Sequence, residues 1–125
     1  MRIVLVGHCG PDNYMLKSMV ERVLDDAEVH VANDDAALAD HQDEQDTWLV
    51  NRVLDGTFSA GHSGLDLIKS RVEQLPGARV LLISDLDEHQ ATAESHGARP
   101  GFGKKALYEE LSANRLRDAA GEAGL

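Results

Sequence analysis

Cysteine, aromatic residues and positive charge are all scarce in this sequence, and each scarcity narrows the class of protein. A single cysteine, Cys9, means that no intrachain disulfide can form, which fits a reducing compartment. Aromatic residues make up 4% of the 125 residues, so a core has to be built from Val, Leu, Ile and Ala. Twelve Lys and Arg stand against 22 Asp and Glu, a formal net charge of -10. Duplex nucleic acid and anionic membrane surfaces both recruit cations, so the balance disfavours either as a partner. The acidity keeps the chain soluble and is compatible with a basic protein partner or a bound cation. Long hydrophobic runs are missing too. The opening MRIVLVGHCG is too short for a signal peptide or a spanning helix and reads as a strand, so the expected location is the cytoplasm.

What is present is an alternation of short apolar runs and amphipathic segments. Ile3 to Val6 is apolar at every position, the pattern of a strand buried on both faces in a parallel sheet. Gly7 to Pro11 interrupts it. Pro11, Asp12 and Asn13 then open a helix over Tyr14 to Leu24, with Met15, Met19, Val20, Val23 and Leu24 at helical spacing. A second strand (Val29, Val31, Ala32) leads through the capping residues Asn33, Asp34 and Asp35 into a weak helix at Ala36 to Ala39. The polar stretch His41 to Asp46 reads as a helix end and loop, and Thr47 to Val50 as a third strand. Asn51 to Gly64 reads as a long loop bearing Gly56, Gly61 and Gly64. Leu65, Leu67, Ile68 and Val72 mark a helix that stops before Pro76. Val80 to Ile83 is the fourth strand, Glu88 to His96 a poorly hydrophobic helix ended by Gly97, and Gly101 to Gly103 a very short fifth strand. Ala106 to Ala119 is the last helix, with Leu107, Leu111 and Leu116 facing inward. This alternation predicts an α/β fold, a doubly wound parallel sheet of about five strands with helices on both faces. A closed eight-fold barrel needs about 250 residues. No repeat or linker divides the chain, so one domain over residues 1–125 with no separate output domain is expected.

In such sheets ligands bind beyond the carboxyl ends of the strands. Those ends are Gly7-His8-Cys9, Asn33, Asn51, Ser84-Asp85 and Phe102 to Lys105. Their order and spacing resemble the receiver domain of two-component response regulators over Arg2 to about Ala119. Arg2 to Val6 resembles the opening strand, Asp46 to Asn51 the third strand and Leu81 to Ser84 the fourth. Gly97-Ala98 through Lys105 resembles the Gly-Ala, aromatic and lysine pattern, and Ser63 to Ile68 the start of the third helix. The resemblance implies a flavodoxin-like sheet of order 2-1-3-4-5. It places Ser84 where a hydroxyl contacts phosphate, Phe102 at the aromatic position and Lys105 at the active-site lysine, with Lys104 the competing choice. The lysine of the family precedes a cis proline. Here Ala106 follows, and a trans bond is expected because a non-proline cis bond costs about 2.5–4 kcal/mol.

The phosphate chemistry of the family is not matched. Gly7 and His8 stand at its acidic pair and bring no carboxylate for Mg²⁺. Asn51 stands at the acceptor aspartate, and an amide forms no acyl phosphate. Asp55, four residues on and before Gly56, has no strand end to hold it. The resemblance then implies an atypical, stand-alone receiver-like module, not an enzyme, that needs no cofactor. It would meet a protein partner, or a second copy of itself, through the fourth helix, fifth strand and fifth helix (Glu88 to His96, Phe102, Tyr108 to Leu116). The alternative is a small-ligand or metal sensor in the same crevice, drawing on His8, Cys9, Asp12 and His62 with the long loop as a lid. No Cys-x-x-Cys or His-x-x-x-His spacing supports the metal. Cys9 ahead of a helix could favour a thiolate, but a lone turn cysteine is the commoner case. Ser84, Asp85 and His89 lack the ordered roles of a triad. No P-loop, dinucleotide or flavin-phosphate fingerprint is found.

Overall fold

The computed structural model describes residues 1–121. Five parallel strands, β1 (Arg2–Val6), β2 (Glu28–Ala32), β3 (Thr47–Asn51), β4 (Arg79–Ile83) and β5 (Arg99–Phe102), lie in the order β2-β1-β3-β4-β5. The helices between them are α1 (Gly10–Val23), α2 (Asp35–Ala39), α3 (Gly64–Gln74), α4 (Asp87–Ser95) and α5 (Glu110–Ala119). The central strands are apolar between their end residues because both of their faces are covered. Successive side chains of a strand point to opposite faces, and this divides the core in two. Val4, Val6, Trp48, Val50, Val80 and Leu82 pack with Leu38 and Ile68 of α2 and α3. Ile3, Leu5, Leu49, Leu81 and Ile83 pack with Leu16 and Met19 of α1 and Leu116 of α5.

Local chemistry sets the helix ends. Asp34 caps α2 by accepting from the Ala37 N–H at 2.7 Å, and Ser63 caps α3 through the Asp66 N–H at 3.3 Å. α1 starts earlier than its apolar spacing predicts, with Pro11 in the first turn, where its missing N–H costs nothing. Its buried face is Leu16, Met19 and Val20, and Met15 is exposed. The last helix begins at Glu110, not Ala106, because Lys104–Ala106 forms a 3₁₀ turn first. Leu107 is buried from that turn, whereas Leu111, expected to face inward, is 56% exposed. β5 tolerates Pro100 because it is an edge strand, whose outer N–H groups need no partner.

The segment from Asn51 to Gly64 is irregular but pinned. Leu54 and Phe58 are buried in the core, Thr57 donates to the Asn33 carbonyl at 2.9 Å, and Leu54 donates to the His62 carbonyl at 2.8 Å. That anchoring does not suit a lid. Among the described residues no helix is long and apolar enough to cross a membrane.

Candidate functional site

The crevice forms where β1 and β3 end side by side. Gly7 leaves β1 with φ +74°, a conformation glycine adopts without strain, and its carbonyl turns toward β3. The Asn51 amide nitrogen donates to that carbonyl at 3.0 Å and to the Val53 carbonyl at 2.8 Å. Both hydrogens of the amide are therefore used to tie β1 to the loop after β3. The Asn51 Oδ1 faces the Lys104 Nζ at 3.4 Å. Lys104 in turn donates to Asp12 Oδ2 at 2.5 Å, in a half-buried ion pair between the first turn of α1 and the turn after β5.

The structure thus brings Lys104, rather than Lys105, to Asn51. The register of β4 against β5 shifts between Leu81 and Ile83, and the 3₁₀ turn that follows at once carries both lysines. Lys105 is exposed, and its backbone N–H donates to Asp85 Oδ1 at 3.1 Å. The bond before Ala106 is trans, as are all those described.

His8, which the resemblance sets at the acidic pair, is completely buried. A carbonyl can only accept, so the 2.8 Å contact to the Leu49 carbonyl places the proton on Nε2 and leaves Nδ1 a bare acceptor. Burial lowers the His8 pKa from 6.5 to about 4, helped by the Lys104 charge and opposed by the Leu49 hydrogen bond and Asp12. The ring is neutral at pH 7. Asp12 lies below its ordinary 3.8, first because it accepts from Lys104, against the opposing effect of burial. Asn13 and Asn33 both donate to the His8 carbonyl, at 3.3 and 3.2 Å, and fix this turn.

Ser84 follows β4, with its hydroxyl directed at α4. Arg52 Nε donates to His89 Nε2 at 3.0 Å, which leaves Nδ1–H of His89 to donate to Ser84 Oγ at 3.1 Å. The Leu86 N–H also donates to that oxygen at 3.3 Å. A serine that accepts from histidine is not an activated nucleophile, and Asp85 is turned away to the Lys105 N–H. The sequence groups His89 with Ser84 and Asp85, but the contact of His89 with Arg52 was not legible in it. Phe102 is 4% exposed and packs inward with Ile83 and Leu107. Asp55 is exposed, and its N–H donates to the Gly7 carbonyl at 2.8 Å. His62 is exposed, while His8 is sealed beneath the turn. Among the described residues no three His, Cys, Asp or Glu side chains are grouped to hold a metal ion.

No family model matches the chain, and no curated protein matches it. Solved structures do. The signal receiver domain of a DNA-binding response regulator from Colwellia psychrerythraea is 15% identical with a TM-score of 0.70, over 98% of this chain and 99% of that one. The receiver domain of NtrX from Brucella abortus is 22% identical with a TM-score of 0.67, over 98% of this chain and 100% of that one. The BeF3-activated DrrB receiver domain is 16% identical with a TM-score of 0.68, over 96% and 97% of the two chains. The chain has the receiver-domain fold along its length, with the flavodoxin-like strand order.

Proposed function

We propose that the protein is a receiver-like signalling module of the response-regulator type, acting by contact with a protein partner and not phosphorylated on aspartate. The observation that carries this reading is the state of Asn51. Its nitrogen is committed to two carbonyls and its oxygen faces Lys104, and an amide has no carboxylate oxygen with which to attack phosphorus. The lysine charge that would meet a phosphoryl group is already answered by Asp12. Neither Gly7 nor the buried, neutral His8 offers the hard oxygen that Mg²⁺ prefers. In this reading the crevice is a permanent brace between β1, β3 and the turn after β5, and the module holds one arrangement without phosphate. It has no enzymatic activity of its own and needs no cofactor.

The proposed contact surface is the face of α4, β5 and α5. Tyr108 is 86% and Leu111 is 56% exposed there, while Phe102 is buried and takes no part. The same face could hold a second copy of the chain. Nucleic acid and membrane are not partners in this reading, and the proposed location is the cytoplasm.

Incubation with Mg²⁺ and acetyl phosphate, followed by intact mass measurement, is expected to show no stoichiometric, hydroxylamine-labile phosphoryl adduct. The variant Asn51→Asp is expected to stay unmodified as well, because restoring the acceptor does not restore metal ligands at positions 7 and 8. A labile adduct on the wild-type protein overturns the proposal. One on Asn51→Asp overturns the argument that those positions silence the site.

A further inference from the structure

Trp48 is the single tryptophan of the chain. The alternation along β3 puts it on the face covered by α2 and α3. Arg71, in the last turn of α3, is 5% exposed, and its guanidinium lies 4.4 Å over the Trp48 ring. Buried charges are ordinarily paired. Arg71 is not paired directly: it donates to two neutral acceptors, Gln42 Oε1 at 3.1 Å and the Asp43 carbonyl at 3.2 Å. Three of its five N–H groups have no acceptor among the described residues. The nearby carboxylates of Asp43 and Asp46 pull its pKa upward against the effect of burial, but they are held by Arg2 at 3.6 and 2.6 Å.

Trp48 and Arg71 both line an open cleft of about 330 Å³ between α2 and α3. That volume is at the lower end of those that take small ligands. Leu38, Ala39, Ala60 and Leu67 supply apolar walls. Asp35 also borders the cleft, with both carboxylate oxygens bound to the Ser59 N–H at 3.2 and 3.0 Å.

We propose that this cleft binds a small monocarboxylate with an apolar body, the carboxylate held by the guanidinium of Arg71 and the body seated against Leu38, Ala39, Ala60 and Leu67. A planar guanidinium with free N–H groups suits a carboxylate, and burial strengthens the pair. Asp35 and the net charge of -10 disfavour a second negative charge on the ligand. The site stands apart from Asn51 and Lys104, so it does not depend on how the crevice is read. It bears on the same loop, because Ser59 and Ala60 belong to the segment that follows Asn51.

Trp48 is its own reporter. Hexanoate is expected to change its fluorescence saturably, with half-saturation at or below about 1 mM. Hexan-1-ol, which keeps the body, and acetate, which keeps the charge, are each expected to bind at least about tenfold more weakly. Arg71→Lys keeps the charge without the fork and should weaken hexanoate by about tenfold. Because Arg71 also braces the loop at Gln42 and Asp43, Ala39→Phe is the second variant. It fills the cleft from an exposed position and should abolish the response while leaving the melting temperature unchanged. The proposal is overturned if hexanoate gives no saturable response up to about 20 mM, far above the expected affinity. It is equally overturned if hexan-1-ol binds as well as hexanoate, or if Ala39→Phe binds normally.

Discussion

Acidification from about pH 7 to about pH 4.5 is expected to remove about 2 kcal/mol of folding stability through His8 alone. The folded-state pKa of about 4 lies below the ordinary 6.5 because the ring is buried. The unfolded chain therefore takes up a proton that the folded one refuses. A group with a lowered folded pKa contributes stability that is complete above the unfolded value and is lost as pH falls through the folded one. The window for His8 is thus from about 6.5 down to about 4. Asp12 has the same sign but acts lower, below its ordinary 3.8, so the two are separable. Urea unfolding of the wild type and His8→Gln across this range checks the effect. Glutamine has no titrating group but can still donate to the Leu49 carbonyl. The difference in stability between the two proteins should shift by about 2 kcal/mol between pH 7 and pH 4.5. Parallel curves would show that His8 does not carry the dependence.

The second large effect falls on Gly64. A Cβ there would lie 1.9 Å from the Asn51 carbonyl oxygen and 3.1 Å from Val50 Cγ1. The obstacle is the backbone of the last residue of β3, whose amide also holds the Gly7 and Val53 carbonyls, so it cannot yield cheaply. Gly64→Ala is expected to cost about 3 kcal/mol, the upper end of overpacking losses. Gly10→Ala is the control: it opens α1 with no atom within 4 Å of the added methyl. Its stability should stay within about 0.5 kcal/mol of the wild type. Thermal melts of the two variants measure the contrast, and similar melting temperatures would contradict it.

The sheet was legible because its central strands are buried on both faces and are written as uninterrupted apolar runs. Ile3 to Val6, Trp48 to Val50 and Val80 to Ile83 need no context to be recognised. Asp34 and Ser63 marked helix starts for the local reason that their side chains accept from N–H groups three residues on. The region after β5 was harder. Neither a bulged register nor a 3₁₀ turn leaves a periodic signature, so the sequence does not show that Lys104 is the lysine that reaches Asn51, or that α5 starts at Glu110 and not Ala106. The strand ends that carry Gly7, His8, Asn51 and Ser84 could be located from the sequence. What each side chain does there could not. Asp12 emerges as the counter-ion of Lys104 only when α1 and the turn after β5 are brought together across 92 residues. Arg52 with His89, and likewise Trp48 with Arg71, meet by tertiary packing.

The brace of Asp12, Lys104 and Asn51 is central to the function proposed for this crevice, and amide NMR during titration with Mg²⁺ and beryllofluoride tests it most directly. The amide signals of Gly7, Asn51, Ser84 and Lys104 are predicted to stay in place, because no carboxylate is available at position 51 to hold the phosphoryl mimic and Asp12 already neutralises the lysine. A new set of signals for these residues at stoichiometric Mg²⁺ and beryllofluoride would contradict this and show a crevice that still switches.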